Sequence, residues 1–330
     1  MMQKSLLRLI LTASTALVPG YALAKVPSVV TDIPAVQALV QQVVGDLGTP
    51  SVLMEQGGDP HHYQLRPSQA SDLQDTDLLI WVGPELTPWL NRNVDALGPD
   101  RTLALLAQPG THLRTYAGDG DEDEEDHDHD HEAHQGEEHE HEGHEHAENE
   151  GHDHVHSGTD PHAWLDPENG VVWLNAIAAA LAQRDPEHAA TYKANAEKGV
   201  TELKALDATL TAQLAPVKDK PFVVFHAAYG YFTDHFGLQP AIAVSLGDAS
   251  TPSAARLTQI RDQIRESGAV CAFPERNHDP RLLDAVIEGT KIRKGEALDP
   301  EGTAAHQGAA LYAAILQGMT TTLVDCLSQD

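Results

Sequence analysis

The sequence predicts an α/β protein of two similar lobes with mainly parallel sheets, joined by a long rigid helix. Two patterns predict this fold class. Short apolar runs alternate with amphipathic stretches on both sides of the chain's centre, as expected for strands connected by right-handed crossover helices. Between the two alternations, apolar side chains three or four residues apart predict one long helix with a single buried stripe. The positions of this stripe are Ala189, Tyr192, Ala196, Val200, Leu203, Leu206, Leu210 and Leu214.

The first alternation follows residue 25. Pro34 suits the first turn of a helix and Gly45 suits its end, so the residues between them are predicted to be helical. A continuous apolar run at 77–83 is typical of a strand that is buried on both faces. Together, the patterns of this half predict strands at 26–30, 51–54, 77–83 and 102–105, and helices at 34–44, 67–74 and 85–97.

The second half repeats this order after a helix at 171–181 and the long helix. The long helix starts behind Asp185, and roughly thirty residues correspond to about 45 Å, enough to connect two lobes. Thr251 is predicted to cap the next helix, and Gly268 lies beyond its end. The predicted elements are strands at 222–225, 241–244, 270–273 and part of 292–298, and helices at 252–266, 281–288 and 306–327.

The length of 330 residues is sufficient for two domains. The predicted units are an N-terminal lobe at 25–184, a linking helix at 185–216 and a C-terminal lobe at 217–330. Open α/β sheets bind ligands beyond the carboxyl ends of their strands, so the site is expected in the cleft between the lobes. The formal net charge is −29, and nucleic acid is not expected as a partner because phosphate binding needs clustered Lys and Arg.

Residues 1–24 have the pattern of a cleaved export signal. Lys4 and Arg8 form a basic start, an apolar run follows at 9–18, and a small-x-small cleavage site ends at Ala24. The run is shorter than the roughly 20 residues that span a bilayer, and no cysteine follows the cleavage site to carry a lipid. The mature protein is therefore expected to be soluble in the periplasm.

Cys271 and Cys326 are the two cysteines of the chain. In an oxidising compartment, an isolated pair most simply forms one disulfide, which would attach the C-terminal helix to the strand that holds Cys271. Closing a loop of about 55 residues contributes about 3 to 4 kcal/mol in the chain-entropy model. Two free thiols that bind a metal are the alternative.

The segment 118–158 differs in composition from the rest of the chain. It contains eleven of the twenty histidines, eighteen Asp and Glu, and no Lys or Arg. Without aliphatic periodicity it cannot bury a core, so a disordered loop within the first lobe is predicted. Clustered imidazoles bind zinc or copper weakly, whereas an expression tag or a plain charge run does not explain an internal, irregular set of histidines. These low-affinity ligands are His127, His129, His131, His134, His139, His141, His144, His146, His152, His154 and His156.

Three histidines outside this segment lie at or after predicted strand ends. His61 and His162 each end an Asp-Pro-His tripeptide in a crossover, and His226 ends a strand of the second half. Asp299 also follows a strand. Three imidazoles with one carboxylate form a donor set suited to zinc, whereas calcium and magnesium prefer oxygen ligands throughout.

Three motifs around these histidines resemble those of the cluster A-I solute-binding proteins, which serve zinc and manganese ABC importers. They are Pro60-His61-His62-Tyr63-Gln64-Leu65-Arg66-Pro67-Ser68, Asp160-Pro161-His162-Ala163-Trp164-Leu165 and Val224-Phe225-His226-Ala227-Ala228-Tyr229-Gly230-Tyr231-Phe232. The resemblance covers essentially the whole mature chain and is closest to the zinc-uptake members. It implies two α/β lobes, a rigid backbone helix, a metal in the cleft and a histidine-rich loop between the first two ligands.

By position, the resemblance implies that His61, His162 and His226 are zinc ligands. Asp299 matches the position of a fourth ligand, for which a water molecule is the alternative. The implied function is capture of Zn²⁺ and its delivery to the membrane permease of an ABC importer by a monomeric protein that is not an enzyme. The two cysteines also resemble a disulfide of zinc-type members.

Three other functions compete with this interpretation. A manganese importer fits the fold, although manganese-type members have a carboxylate where His226 stands. A periplasmic histidine-rich metal buffer fits the loop. A zinc hydrolase requires an open metal position beside a general base, and the sequence contains no His-Glu-x-x-His motif.

Residues near the ligands have supporting roles in this interpretation. Glu275 is expected to orient a ligand histidine through a hydrogen bond. Tyr63, Trp164 and Tyr229 are expected to form the walls of the cleft. His62 is an alternative to its neighbour as first ligand, or a surface residue. The other histidines predicted at the surface or at helix ends are His112, His188, His235, His278 and His306.

Overall fold

The computed structural model describes residues 25–54, 57–116, 158–245, 252–303 and 308–329. The predicted signal peptide, the eleven loop histidines, Thr251 and His306 lie outside these residues. Within the described part of the chain, no helix is both long and apolar enough to cross a membrane.

A four-stranded sheet and three helices form the first lobe. The elements are β1 (Val29–Thr31), α1 (Pro34–Val44), β2 (Ser51–Val52), α2 (Pro67–Asp75), β3 (Leu78–Trp81), α3 (Asn91–Leu97) and β4 (Thr102–Ala104). All neighbouring strands are parallel, in the order β2-β1-β3-β4. Helix α1 has its predicted bounds, because Pro34 begins it and Gly45 ends it with a φ of 59°.

The helix predicted at 85–97 is shorter in the structure. A 3-10 turn at Pro88–Leu90 comes first, and α3 starts only at Asn91. Pro84 and Pro88 account for the difference. A proline has no amide hydrogen to donate and disfavours helical backbone in the residue before it, so an α-helix cannot run through this stretch.

Two long helices follow, α4 (Pro167–Arg184) and α5 (Ala189–Leu214). Asp166 caps α4 by accepting a hydrogen bond from the Glu168 backbone N–H (2.8 Å), so this helix starts before the predicted residue 171. Gly199 on α5 allows close packing, because a Cβ there would lie 2.8 Å from Gln42 Oε1 on α1. The buried stripe of α5, which has 26 residues, contains Tyr192, Ala196, Gly199, Leu203, Leu210 and Leu214, while Ala189, Val200 and Leu206 are half-buried.

The second lobe repeats the strand order of the first. Its elements are β5 (Phe222–His226), α6 (Gly230–Phe236), β6 (Ile242–Ser245), α7 (Ala254–Ser267), β7 (Cys271–Phe273), α8 (Arg281–Ile287), β8 (Arg293–Lys294) and α9 (Leu311–Leu327). The strands are parallel in the order β6-β5-β7-β8, so β5 has the place that β1 has in the first sheet. Helix α6 was not predicted. The cap of α7 is Ser253, which accepts a hydrogen bond from the Arg256 backbone N–H (3.2 Å), so this helix starts at Ala254 and not at the predicted residue 252.

Helix α5 connects the two lobes. It packs against α1, α4 and α9. The largest apolar cluster therefore continues from Ile80 in the first sheet through Leu210 on α5 to Phe273 in the second sheet. Such a shared core fixes how the carboxyl ends of the two sheets are placed relative to each other.

The disulfide predicted between Cys271 and Cys326 is present, with the two Cα atoms 6.3 Å apart. It joins β7 to the last turn of α9. Because both sulfur atoms are used in this bond, neither cysteine is a free thiol that could bind a metal, and the thiol alternative is wrong.

Candidate metal centre

His61 lies in a turn that follows β2. The Asp59 carboxylate accepts a hydrogen bond from the His61 backbone N–H (2.8 Å), as in an Asx turn. Pro60 has no N–H of its own, and its carbonyl accepts a hydrogen bond from Trp89 Nε1 (2.7 Å). The Asp-Pro-His sequence thereby fixes the backbone that carries the first predicted ligand.

His162 is held by the second Asp-Pro-His tripeptide in the same way. Asp160 Oδ1 accepts hydrogen bonds from the His162 backbone N–H (3.0 Å) and from His162 Nδ1 (2.8 Å). Asp160 is fully buried, and His162 is only 2% exposed. The carboxylate orients the ring and leaves Nε2 as the atom available to a metal.

His226 is the last residue of β5, at the carboxyl end of the second sheet. Glu275 Oε2 accepts a hydrogen bond from His226 Nδ1 (2.6 Å), and Oε1 accepts one from the Tyr229 hydroxyl (2.8 Å). Glu275 therefore holds the ring of His226 in place, as expected from the sequence. Again Nε2 is the atom left for a metal.

The three histidines converge between the lobes. Each contributes one ring nitrogen, and these three atoms all lie within 4.8 Å of one another. Nε2 of His162 and Nε2 of His226 are 3.4 Å apart. Two nitrogen ligands at about 2.0 to 2.1 Å from a tetrahedral zinc ion are separated by about 3.3 Å. The arrangement of His61, His162 and His226 therefore fits one zinc ion.

Aromatic side chains enclose this centre and connect the lobes. The Trp164 ring lies 5.2 Å from the His162 ring, and Trp164 Nε1 donates a hydrogen bond to the Pro300 carbonyl of the second lobe (2.8 Å). Tyr312 on α9 donates its hydroxyl hydrogen to the Trp164 carbonyl (2.7 Å). Trp164 and Tyr229 are buried in this wall. Bulky apolar walls limit the access of water to the three nitrogens.

Asp299 is not in the group of ligand atoms that lie within 4.8 Å of one another. Its Oδ1 accepts hydrogen bonds from the Thr303 backbone N–H (2.8 Å) and hydroxyl (3.0 Å). Its Oδ2 lies 3.9 Å from Arg276 Nε. In this arrangement the carboxylate caps the turn that follows it. The assignment of Asp299 as fourth ligand stays a prediction, with a water molecule as its alternative.

Asp166, Glu168 and His235 form a second group of potential ligand atoms. His235 Nδ1 lies 3.2 Å from Asp166 Oδ1, and its Nε2 lies 2.7 Å from Asp207 Oδ1, so both nitrogens are engaged. Asp166 also contacts His112 Nδ1 (3.0 Å), and its other oxygen caps α4. We interpret the group as an ion-pair bridge between the lobes. His235 lies in the last turn of α6, at a helix end as predicted, and its side chain is half-buried.

Burial alone favours the neutral form of the His235 imidazole. Its hydrogen bonds to Asp166 and Asp207 outweigh burial and raise the pKa of His235 from 6.5 to about 9. The same contacts with His235 and with His112 outweigh burial at Asp166 and lower the pKa of that carboxyl. The ion pair is therefore charged at neutral pH.

Replacing His235 by glutamine is expected to lower the free energy of unfolding of the metal-free protein by about 2 to 3 kcal/mol at pH 6, since one unit of pKa shift corresponds to about 1.4 kcal/mol. A histidine whose pKa is raised by folding contributes fully below its unfolded pKa, and its contribution is lost as the pH rises through the folded value. The deficit of the variant should therefore shrink between pH 6.5 and about 9. Urea unfolding of the wild type and the variant at several pH values measures this difference in the free energy of unfolding. A difference that is constant with pH would contradict the ion pair.

The remaining described histidines lie outside the centre. His62 is exposed and contacts Asp59 Oδ2 (2.9 Å), so it is His61 that converges on the other two histidines. His188 precedes α5, and His278 stacks on the Phe225 ring (centroids 4.7 Å apart).

Two parallel α/β lobes joined by a layer of helices, with imidazoles from both lobes in the cleft, define a solute-binding protein for a metal ion. The chain belongs to the family described as zinc-uptake complex component A, periplasmic, or ZnuA, whose model matches residues 29–326. The family and the fold class predicted from the sequence are confirmed.

Relatives that carry the name high-affinity zinc uptake system protein ZnuA match the chain over most of its length. The protein of Paracoccus denitrificans is 64% identical over 331 residues, which are 100% of each chain. That of Brucella suis is 38% identical and covers 91% of this chain and 92% of its own. That of Yersinia pestis is 32% identical and covers 91% of each.

Solved structures share the fold. A zinc-bound ZnuA deletion mutant superposes with a TM-score of 0.70 at 21% identity, covering 92% of this chain and 99% of its own. A manganese-bound periplasmic metal-binding protein from Candidatus Liberibacter asiaticus gives 0.70 at 20% identity, with 91% and 99% covered. At these identities the likeness concerns the fold alone.

Proposed function

We propose that this protein captures one Zn²⁺ ion in the cleft and delivers it to the membrane permease of an ABC importer. The convergence of the ring nitrogens of His61, His162 and His226 carries this proposal. Membership in a zinc-uptake family supports it. Three nitrogen donors favour zinc over manganese, which prefers carboxylate, carbonyl and water ligands.

The ligands come from both lobes. His61 and His162 belong to the first lobe and His226 to the second, so the ligand set is complete only while the lobes are in contact. Separation of the lobes removes His226 and weakens binding, which provides a route for release at the permease. Because neutral imidazole is the ligand, protons compete with zinc, and the zinc affinity falls as the pH is lowered.

The fourth ligand is tested by replacing Asp299 with asparagine. We expect the zinc dissociation constant to change less than threefold, because Asp299 Oδ1 is engaged by Thr303 and lies outside the group of converging atoms. A water molecule would then complete the tetrahedron. Loss of more than tenfold in a competitive titration would show instead that the carboxylate moves and coordinates the ion.

The two sheets and helix α5 support the predicted units at 25–184, 185–216 and 217–330. The disulfide supports export, because such bonds persist in oxidising compartments such as the periplasm. The proposal also states that residues 1–24 are removed by cleavage after Ala24, and that the mature protein is a monomer. Sizing of the secreted protein and sequencing of its N-terminus test both.

The histidine-rich segment 118–158 is proposed to collect zinc at low affinity or to sense its abundance. Its composition and its place directly before His162 support a role near the cleft. Uptake under zinc starvation that is unchanged by deleting the segment would exclude the collector role.

Growth under zinc chelation tests the delivery step. Cells that lack their own copy of this protein are expected to grow when they produce the wild-type chain and to fail when they produce the His226→Ala variant at the same level. A wild-type chain that binds zinc tightly but does not restore uptake would favour a periplasmic metal buffer. An assay on generic esters and peptides tests the hydrolase alternative.

A further inference from the structure

Arg114 lies where the chain enters the segment 117–157, opposite the residues where it returns. Thr115 and Thr159 form an antiparallel bridge. The Asp160 backbone N–H donates a hydrogen bond to the Arg114 carbonyl (2.8 Å). The pairing of these two limbs places Arg114 beside Asp160, the carboxylate that orients His162.

The guanidinium of Arg114 contacts carboxylates of both lobes. Nη1 lies 3.4 Å from Asp160 Oδ2, and Nε donates a hydrogen bond to Asp234 Oδ2 on α6 (2.6 Å). The other oxygen of Asp160 accepts the hydrogen bond from His162 Nδ1 (2.8 Å). A continuous chain of contacts therefore runs from Asp234 through Arg114 and Asp160 to the ring of a ligand.

Helix α6 is attached to this segment at a second point. The Tyr231 hydroxyl accepts a hydrogen bond from the Arg114 backbone N–H (2.8 Å) and donates one to the Asp160 carbonyl (2.9 Å). The helix starts at Gly230, only four residues after His226. The contacts of α6 thus connect the position of the second-lobe ligand with the orientation of His162.

Gly230 makes room for the guanidinium. A Cβ atom at this position would lie 2.0 Å from Arg114 Nη1, far inside van der Waals contact. Any side chain here would therefore displace Arg114 from the two carboxylates. The backbone of Gly230 does not require glycine, because its φ lies outside the left-handed region.

We propose that Arg114 is a positioning residue that couples the orientation of His162 to the docking of the second lobe. The inference rests on the proposed function, since it assumes that zinc binds at the three histidines. Asp160 is fully buried, and a buried carboxylate needs a nearby cation or hydrogen bonds to stay in place. Arg114 supplies the cation, and Asp234 fixes Arg114 only when α6 is docked.

The test compares variants of the full mature chain by chelator competition, in which only the tight site competes for zinc. Arg114→Gln is expected to raise the zinc dissociation constant by about 10- to 100-fold, as loss of an orienting partner does at other metal sites. Asp234→Asn, on an exposed part of α6, is expected to raise it by about 3- to 10-fold. The double variant should be no weaker than Arg114→Gln alone, because both changes break one chain of contacts.

Gly230→Ala provides a second route to the same defect without removing a charge. It is expected to raise the dissociation constant by about 10-fold and to change the visible spectrum of the cobalt-loaded protein, because the ring of His162 is reoriented. Arg114→Lys should bind zinc with an intermediate affinity, since one ammonium group cannot reach both carboxylates. Arg101→Gln is the matched control, as Arg101 binds the carbonyls of Gln74 and Thr76 within the first lobe and should alter stability only.

Zinc binding by Arg114→Gln within twofold of the wild type would overturn the inference. Additive losses in the Arg114 and Asp234 variants would also overturn it, because the two residues would then act independently. If the wild type has no tight site that depends on His226, the proposed function fails instead. The zinc titration of the wild type therefore distinguishes failure of this inference from failure of the proposed function.

Discussion

Replacement of His226 by alanine is expected to raise the zinc dissociation constant of the cleft site by roughly 100- to 1,000-fold. Structural zinc sites with four ligands bind with about 10 to 16 kcal/mol at pH 7, so one ligand accounts for about 2.5 to 4 kcal/mol. His226 is also the one ligand of the three that the second lobe supplies. Competition with a tight chelator measures the loss, because the weaker sites of the histidine-rich segment do not contribute.

His188→Ala is the matched control for this experiment. His188 lies before α5 and binds Asp185 Oδ2 (2.7 Å), away from the converging nitrogens. Its removal should leave the zinc affinity within twofold of the wild type. Retention of tight binding by the His226 variant, with loss on deletion of the segment 118–158, would place the functional metal in that segment.

Replacing Cys271 and Cys326 together by serine is expected to lower the free energy of unfolding by about 3 to 4 kcal/mol. The bond joins residues that are 55 positions apart, so without it the unfolded chain gains considerable conformational entropy. Both cysteines are buried, and the serine hydroxyls add a cost of burial to this loss. Denaturant unfolding of the metal-free protein, followed by circular dichroism, measures the change.

Reduction of the wild-type protein separates the two contributions. A reducing agent removes the bond and leaves both sulfur atoms in the core, so the loss in reduced wild type reports the bond alone. An unfolding midpoint that is the same with and without reductant would show that the disulfide contributes nothing to stability.

Local signals made much of the fold predictable. Helix α1 has the predicted bounds because a proline and a glycine mark its ends, and each acts through its own backbone geometry. The buried strands were recognisable as continuous apolar runs. Helix α6 is not predictable in this way, because its seven residues, from Gly230 to Phe236, all have low intrinsic helix propensities. Its contacts with Arg114 and Asp160 are long-range, and no pattern in the sequence reports them.

The candidate site was predictable to a different extent at each ligand. The repeated Asp-Pro-His tripeptide marked His61 and His162, and the structure shows why: the aspartate binds the backbone N–H of the histidine in both. That signal could have identified Asp59 and Asp160 as supporting residues. Asp299 is assigned from its match to a ligand position of the family that the sequence resembles, and a match in position does not report where its carboxylate lies. The hydrogen bonds to Thr303 depend on the turn that follows.

The proposed zinc ligands come from both lobes, so zinc binding is expected to link the local unfolding of one lobe to that of the other. A zinc ion that binds only the assembled centre adds RT ln(1 + [Zn]/Kd) to stability, about 2.7 kcal/mol at one hundred times Kd. That contribution is lost when either lobe unfolds, since His162 and His226 then separate. Zinc should therefore slow amide hydrogen exchange in both sheets together.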